Sequence, residues 1–207
     1  MSKRKPTAPY ITIALAAGRL APAQFAAVNK VVQEYRLSTY LTTMQNIRLL
    51  DVPENKSAEI KEELIGAGVA IKGPGQFPMP RVCAGRPYCN LAQADPSQLS
   101  AAILKRLGRT NVKPKFKIAI AACSANCSGA VLADIGVVAG RSGYDIYAGG
   151  KGGPQPRAGK RIMRRVAADE AVEVIEQLVA FHDHKTKKKK RFYKLLADPD
   201  FPFTVEG

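Results

Sequence analysis

Four cysteines in the middle of the chain form two close pairs whose spacing suits an inorganic centre. Five residues separate Cys83 from Cys89, three separate Cys123 from Cys127, and thirty-three lie between the pairs. The sequence holds no other cysteine. Two tight pairs can place four thiolates around one compact centre. A [4Fe–4S] cubane needs four such thiolate ligands. The spacing therefore favours an iron–sulfur cluster.

Zinc and disulfide bonds are the alternative interpretations of the same residues. Structural zinc usually takes paired ligands about two to four residues apart, often with histidine, so the five-residue gap is wide for zinc. The two histidines, His182 and His184, lie far downstream. An even number of cysteines permits disulfides, but the N-terminal residues do not read as a secretory signal, and an intracellular set more often binds metal. Both alternatives stay open at this point.

The composition describes a globular and strongly basic protein. Of the 207 residues, 46% are hydrophobic, and no run approaches the roughly 18 apolar residues that span a bilayer. A soluble cytoplasmic protein is the default expectation. The net charge of +15 suits nucleic acid, a polyanionic cofactor, an anionic substrate or an acidic electron donor. Charge alone does not separate these partners.

The elements that must position the cysteines fall into two parts. In the first part, apolar runs predict strands at 11–15, 38–42, 46–50 and 69–71, and helical periodicity predicts helices at 21–36 and 56–66. The order β-α-β-β-α-β describes a ferredoxin-like sandwich. A segment rich in proline and glycine, residues 73–80, marks the boundary to the second part.

The second part carries the cysteines. Asp95 as N-cap and Pro96 at the first helical position predict a helix that ends at Leu107. A strand at 115–122 runs directly into the second cysteine pair, and further strands are expected at 131–139 and 144–148. Residues 148–161 read as a flexible, glycine-rich basic loop, followed by a helix at 169–181 and a last short helix around 192–196.

Residues 10 to about 165 resemble the repeat unit of sirohaem-dependent nitrite and sulfite reductases. The matching pieces are TYLTTMQNIRL (39–49), the two cysteine pairs, KFKI (115–118) and YAGGKGG (147–153). Family members of ordinary size carry two such repeats and this chain carries one, so it is similar to the small single-repeat sulfite reductases of anaerobes. The resemblance implies an α+β fold, with an N-terminal ferredoxin-like sandwich followed by an α/β half that binds sirohaem and a [4Fe–4S] cluster.

The resemblance also implies a domain plan and a reaction. The plan is a mobile basic arm at 1–8, a ferredoxin-like half-domain at 9–75, a sirohaem and [4Fe–4S] domain at 76–184, and a basic C-terminal tail at 185–207. The cluster ligands would be Cys83, Cys89, Cys123 and Cys127, with Cys127 shared with the sirohaem iron. The implied activity is the six-electron reduction of sulfite to sulfide or of nitrite to ammonia, with the electron chemistry carried by the cofactors.

Basic residues are the predicted contacts for the anionic cofactor and substrate, because sirohaem carries eight carboxylates. Lys115 and Lys117 alternate along the predicted strand and would share one face. They match the paired lysines that the family uses near the substrate anion, so they are the predicted catalytic residues. The predicted cofactor contacts, besides Cys127, are Arg48, Arg81, Arg86, Lys151, Arg157, Lys160 and Arg161. A solvated loop or edge strand is the alternative interpretation for these cations.

Two positions depart from the family's pattern. Met44 stands where the family usually has arginine in a TTRQ-like motif, and the first strand carries no charge before Arg19. Both departures remove bidentate anion contacts that lysine replaces poorly. Arg48 is the candidate to compensate, since it would share a strand face with Met44. The alternative function is a non-catalytic iron–sulfur electron-transfer or sirohaem-binding protein, and a zinc-stabilised nucleic-acid-binding protein is a third.

The predicted partners follow from charge and symmetry. The run at 185–191 reads as a solvated tail, as a docking surface for an acidic donor such as a ferredoxin, or as a nucleic-acid contact. The two histidines before it are expected to be exposed at a helix end. A single-repeat chain could rebuild the pseudo-twofold of longer members as a C2 homodimer, in which the lysine pair of one subunit faces the sirohaem of the other.

Overall fold

A computed structural model describes residues 8–206 of the chain. Apart from its last residue, the predicted basic arm at 1–8 lies outside the described residues. The chain divides into two compact units, the first ending at Pro74 and the second beginning at Gly75. Within the described range, no helix has both the length and the apolar character needed to cross a membrane.

The first unit is an antiparallel sheet with two helices. Its elements are β1 (Ile11–Ile13), α1 (Pro22–Glu34), β2 (Ser38–Leu41), β3 (Ile47–Leu50) and α2 (Ser57–Gly66). The sheet order is β1-β3-β2, and both pairings are antiparallel. The strand predicted at 69–71 is reduced to one antiparallel bridge between Ile71 and Ile13. With that bridge on the outer side of β1, the unit has the order of a ferredoxin-like sandwich, as the sequence predicts.

Alternation along the strands separates two faces of this sheet. The side chains of Ile11, Ile13 and Leu49 are buried and join the core formed with both helices. Residues between them point to the opposite face. The register places Thr12 and Tyr40 on either side of Arg48 there. The helices therefore leave this second face of the sheet uncovered.

The second unit is a five-stranded mixed sheet with two long helices. Its elements are β4 (Arg81–Val82), α3 (Pro96–Leu107), β5 (Ile118–Ala121), β6 (Ile135–Gly140), β7 (Gly143–Ala148), β8 (Lys160–Val166) and α4 (Ala168–Lys185). The sheet order is β4-β5-β6-β7-β8. The first three strands run parallel, and the last two pairings are antiparallel. The predicted cap of α3 is confirmed, since the Asp95 carboxylate accepts a hydrogen bond from the Ser97 N–H at 2.9 Å.

Two predicted strands begin later than expected. The strand predicted from residue 115 begins at Ile118, because Lys115 has a left-handed φ of 73° that no regular strand accommodates. The strand predicted from residue 131 begins at Ile135, and Ala130–Leu132 form a short 3-10 helix instead. In both places the predicted strand is longer than the observed one.

The prediction of a flexible loop at 148–161 is wrong at its C-terminal end. Lys160 and Arg161 already pair with Ala148 and Tyr147, and β8 continues to Val166. Four of the seven residues of β8 are basic, so its sequence resembles a solvated segment. Ile162 and Val166 provide its buried positions. Register shifts in the β7–β8 pairing further disguise the two-residue period.

The segment after α4, expected to be a basic tail, packs into the second unit. Phe192 and Leu195 are fully buried. The Phe192 ring stacks on His182 with centroids 5.6 Å apart, and His182 is only 2% exposed. The expectation of an exposed His182 is therefore wrong, whereas His184 is exposed. Lys187, Lys188 and Lys189 are also exposed, so that part of the basic run does face solvent.

Candidate functional site

Both cysteine pairs begin at the carboxyl ends of neighbouring strands. Cys83 directly follows β4, and Cys123 lies two residues beyond the end of β5. These strands are parallel partners, with Val82 opposite Ile120. Because the carboxyl ends of parallel strands meet at one edge of a sheet, the two thiols emerge side by side. Cys89 and Cys127 follow in the loops that leave this edge.

Backbone hydrogen bonds fasten the two cysteine loops to each other. The Gln93 N–H donates to the Ala122 carbonyl at 2.8 Å, and the Ala122 N–H donates to Cys83 Sγ at 3.1 Å. The Asn126 N–H donates to the Cys123 carbonyl at 3.1 Å, which closes the turn between the second pair. The structure thus gathers the loops of both pairs at one place.

Two glycines allow these loops to pack closely. Gly85 has a φ of 66°, and a side chain there would overlap the Pro96 ring and lie 3.2 Å from the Ala94 carbonyl. Gly129, with a φ of 65°, would place a Cβ 2.9 Å from Arg81 Nη2. Both positions combine a left-handed backbone with a close neighbour, so glycine is the residue that fits. The conformation of each cysteine loop is accordingly fixed by its surroundings.

The thiols differ in exposure. Cys83, Cys89 and Cys123 are half-buried, Cys127 is exposed, and all four are free of disulfide bonds. Four soft thiols suit iron–sulfur chemistry, and an N–H donated to a ligating sulfur is a contact that tunes such a centre.

Nowhere in residues 8–206 do three His, Cys, Asp or Glu side chains gather tightly enough for a single metal ion. A cubane does not need several ligands on one ion, because each of its four irons takes one thiolate.

Two predicted basic residues brace the cysteine loops. Arg81, in β4, donates from Nη2 to the Gly129 carbonyl at 3.5 Å, and its buried Nε finds no partner among the described residues. Arg86 donates from Nε to the Ala92 carbonyl at 2.8 Å. Both guanidinium groups therefore lie at the edge where the thiols emerge.

The glycine loop after β7 gathers a second basic cluster. Lys151 and Arg157 exchange two backbone hydrogen bonds, of 2.9 and 2.7 Å. Both cations lie over the Tyr193 ring, at 5.8 and 5.3 Å from its centroid. The ring thereby holds the two side chains of this hairpin together.

Lys160 and Arg161 stand at the start of β8 in different environments. Lys160 is exposed. Arg161 donates from Nε to Glu206 at 2.8 Å and from Nη1 to Asp145 at 3.4 Å. Hydrogen bonds from Arg164 and Arg161 hold the pKa of Glu206 down at about 2. Arg161 is thus already engaged by two carboxylates.

The two predicted catalytic lysines lie at the other end of β5 from the cysteines. Lys117 directly precedes the strand, and Cys123 comes after its carboxyl end. At about 3.3 Å per extended residue, the strand separates the two by roughly 16 Å or more. The prediction that both lysines sit within the strand is wrong, but both are exposed, with buried Phe116 between them. The lysine pair therefore lies at the amino end of β5, and the thiols lie at its carboxyl end.

Arg48 belongs to the first unit, where it lines a cavity of about 480 Å³ on the uncovered face of the sheet. Its guanidinium carbon lies 4.3 Å from the centroid of the Tyr10 ring, and its buried Nε has no partner within the described range. Met44 lines the same cavity from the turn between β2 and β3, so the expectation that it shares a strand face with Arg48 is wrong. None of the lining residues is acidic: Tyr10, Thr12, Tyr40, Thr42, Thr43, Met44, Asn46, Arg48 and Lys72.

Sequence reasoning missed several residues of these sites. Tyr10, Tyr40 and Lys72 join the cavity of the first unit, and Tyr193 joins the glycine loop. Strand alternation could have placed Tyr40 beside Arg48, since both lie on the face opposite the buried residues. No local pattern identifies Tyr193, because its role depends on a segment that folds back across the unit.

Two family models match the chain. The model described as nitrite and sulphite reductase 4Fe-4S domain covers residues 79–201, and the model described as nitrite/sulfite reductase ferredoxin-like half domain covers residues 2–67. Among solved structures, dissimilatory sulfite reductase I matches with a TM-score of 0.75 and 15% identity, over 89% of this chain and 65% of that one. That similarity concerns the fold.

Curated relatives of two lengths match the chain. The assimilatory-type sulfite reductase of Nitratidesulfovibrio vulgaris is 25% identical over 86% of this chain and 82% of its own length. The nitrite reductase [NAD(P)H] of Emericella nidulans is 24% identical over 84% of this chain. The match spans only 16% of the length of that relative.

Proposed function

Because the chain belongs to the nitrite and sulphite reductase 4Fe-4S domain family, we propose that it catalyses the six-electron reduction of sulfite to sulfide, or of nitrite to ammonia. Members of this family are oxidoreductases that bind sirohaem and a [4Fe–4S] cluster. The observation that carries the proposal is the pair of cysteine loops, which emerge from adjacent parallel strands and are hydrogen-bonded to each other.

The cluster ligands in this proposal are Cys83, Cys89, Cys123 and Cys127. Cys127 would be the ligand shared with the sirohaem iron, and its exposure supports that role. The N–H donated to Cys83 Sγ would stabilise thiolate charge. When bound, the coupled cofactors would pass the electrons of the external donor to the substrate anion.

Other residues of the chain would contribute positively charged side chains to the cofactor site. Arg81 and Arg86 lie at the thiol edge, and Lys151, Arg157, Lys160 and Arg161 follow in the second basic cluster. We assign these groups to the carboxylates of the macrocycle, with the orphaned Arg81 Nε as the strongest single case. Arg161 is the weakest, because two carboxylates already engage it.

Arg48 is the proposed anion contact of the first unit. Its desolvated Nε favours a negatively charged ligand, as does the lack of any acidic side chain among the described residues that line its cavity. The Tyr10 ring holds the guanidinium in place, so the group is presented with little loss of side-chain entropy. Arg48 would thus supply the guanidinium that Met44 does not.

A C2 homodimer completes the proposal. The lysine pair and the cysteines of one chain lie at opposite ends of β5, so a second copy is the natural source of lysines for the cysteine edge. In such a dimer, Lys115 and Lys117 of each subunit would hold the substrate anion of the other. This arrangement is tested by mixing Cys127→Ser protein with protein carrying both Lys115→Met and Lys117→Met.

The mixed dimer has one intact site under this proposal. That site takes its cysteines from the lysine-substituted subunit and its lysines from the cysteine-substituted subunit. Activity should therefore appear on mixing two inactive proteins after subunit exchange. Mixed protein that stays inactive although sedimentation shows dimers would contradict the shared site.

The electron donor in this proposal is a small acidic protein such as a ferredoxin, acting in the cytoplasm. The net charge of +15 and the exposed Lys187, Lys188 and Lys189 support such a partner, because opposite charge accelerates encounter. The reduction rate with the donor should then fall steeply with salt, whereas the rate with a small uncharged reductant should not.

The visible spectrum of protein expressed anaerobically with a sirohaem supply is the first test. A sirohaem spectrum with about four irons per chain beyond the haem iron is expected. Turnover of sulfite and nitrite with reduced viologen follows, with Cys127→Ser as the inactive variant. A colourless, zinc-loaded protein would contradict the cofactor assignment of this chain.

A non-catalytic iron–sulfur or sirohaem-binding protein is the second candidate. Met44 favours it, because methionine at this position leaves Arg48 as the cavity's single guanidinium among the described lining residues. Turnover separates the two candidates, since a non-catalytic protein would bind the cluster, with or without sirohaem, and accept electrons without consuming either anion.

A further inference from the structure

A buried ion pair lies behind the lysine pair of the second unit, outside the groups that the proposed function uses. Asp134 directly precedes β6, and its side chain is only 1% exposed. Arg191, the last residue of the basic run, places Nη1 3.1 Å from Asp134 Oδ2. Burial raises the pKa of Asp134 and the charge of Arg191 opposes that rise. A buried carboxylate of this kind needs its cation, because an unpaired charge there is strongly unfavourable.

This ion pair contacts the backbone of the lysine segment on both sides of Phe116. Arg191 Nη1 donates to the Lys115 carbonyl at 3.4 Å. The Lys117 backbone N–H lowers the pKa of Asp134, whose Oδ1 accepts the Phe192 N–H at 3.3 Å. The Ile135 N–H donates to the Lys117 carbonyl at 3.0 Å. Lys115 is thus hydrogen-bonded to Arg191, and Lys117 is hydrogen-bonded to the residue that follows Asp134.

The ring between the two lysines is held by the same C-terminal segment. Phe116 is buried, with its centroid 4.9 Å from that of His182 and 6.1 Å from that of Phe192. His182 in turn hydrogen-bonds through Nε2 with the Lys190 carbonyl at 2.9 Å. The end of the basic run, at Lys190 and Arg191, therefore packs beside the lysine segment.

Lys115 adopts a backbone conformation that needs such support. Its φ of 73° lies in the left-handed region, which residues with a Cβ rarely adopt. A conformation of this kind persists only where surrounding contacts over-determine it. The Arg191 hydrogen bond to the Lys115 carbonyl is one of those contacts.

We propose that Asp134 and Arg191 are positioning residues that fix Lys115 and Lys117 for the substrate anion. The inference rests on the proposed function, because the lysines are assigned to the anion there. Asp134 and Arg191 touch neither substrate nor cofactor in this proposal and act only through the lysine backbone. The placement of the two ammonium groups then depends on the clamp, and a displacement of about 1 Å can lower a rate on the order of a hundredfold.

Hydrogen exchange in the full-length protein tests the clamp without any cofactor. Arg191→Met should raise the exchange rates of the amides at 115–118 about tenfold or more, because it removes the cation and leaves the buried carboxylate unpaired. Lys194→Met, three residues further on and exposed, is the matched control and should leave these amides unchanged. If Arg191→Met leaves their exchange at the wild-type rate, the clamp is refuted.

Arg191→Lys keeps the inference testable where the methionine variant does not fold. Lysine retains the charge but not the forked guanidinium that reaches both the carboxylate and the Lys115 carbonyl. It should give intermediate exchange at 115–118 and a wild-type far-ultraviolet spectrum. Exchange equal to wild type in this variant would show that the two contacts are dispensable.

Sulfite kinetics of the holoenzyme with a viologen reductant separate this inference from the proposed function. Arg191→Met should lower kcat/KM for sulfite about tenfold or more, with partial recovery in Arg191→Lys. If Lys115→Met and Lys117→Met change sulfite kinetics but Arg191→Met does not, the positioning role is overturned and the lysine assignment stands. If the lysine variants themselves retain full kcat/KM, the lysine assignment of the proposed function fails, whereas hydrogen exchange still decides the clamp.

Discussion

Replacing Gly85 with alanine should lower the free energy of unfolding more than the same replacement at a glycine with open space around it. It should also displace the first cysteine loop. Gly85 combines a left-handed φ of 66° with a buried position against α3. An added Cβ would overlap the Pro96 ring and lie 3.2 Å from the Ala94 carbonyl. Neither neighbour is a flexible side-chain end, because the Pro96 ring starts α3 and the carbonyl belongs to the backbone.

The magnitude follows from two separable contributions. A left-handed conformation is unfavourable by about 1–2 kcal/mol for a residue with a Cβ, and overpacking adds about 1–3 kcal/mol. Gly85→Ala should thus lower the free energy of unfolding by about 2–5 kcal/mol. Gly75→Ala is the matched control, since Gly75 has a φ of 74° but its Cβ would meet only Asn111 Oδ1, at 3.9 Å. It should cost about 1–2 kcal/mol.

Urea unfolding of the cofactor-free variants measures the two free energies. Iron content after anaerobic reconstitution, at a temperature where both variants are folded by circular dichroism, measures the effect on the site. Gly85→Ala should bind less iron per chain than Gly75→Ala, because the displaced loop carries Cys83 and Cys89. Equal stability losses in the two variants would refute the packing argument, and equal iron contents would refute the link to the cysteines.

Three further predictions concern stability. Asp95→Ala should lower the free energy of unfolding by about 1 kcal/mol through loss of the α3 cap, whereas exposed Gln98→Ala should stay within about 0.5 kcal/mol; equal losses in urea melts would contradict the capping role. Phe192→Ala should cost about 3–5 kcal/mol as a core truncation, and a loss below about 0.5 kcal/mol would restore the interpretation of a solvated tail. Glu206, whose pKa is lowered from 4.5 to about 2 by Arg164 and Arg161, contributes stability that is present above pH 4.5 and is lost as the pH falls towards 2. Between those pH values, Tm should therefore fall less in Glu206→Gln than in wild type, and parallel curves would contradict the ion pair.

Elements defined by local chemistry could be predicted from the sequence. The helix from Pro96 to Leu107 carries its own start signal in Asp95 and Pro96, and its observed bounds agree with the prediction. The order of the first unit follows from apolar periods within single segments. The cysteine pairs were recognisable because their spacing is a property of the chain itself.

Elements defined by distant partners could not be predicted in this way. Two-residue β4 is a strand only because β5 lies beside it, and the basic residues of β8 conceal an edge strand that pairs with β7. His182 is buried because Phe192 returns to stack on it ten residues later. The start of β5 was misplaced for the same reason, since contacts from Asp134 and Arg191 shape the residues before it.

The separation of thiols and lysines along β5 bears on how this chain tolerates change. If two such repeats were fused and shared one site, one set of cysteines and one set of lysines would stay outside that site and could change without affecting it. In the proposed homodimer each subunit uses both edges at once, so any substitution is present in both sites. In the proposed homodimer, a substitution that harms one site therefore harms both.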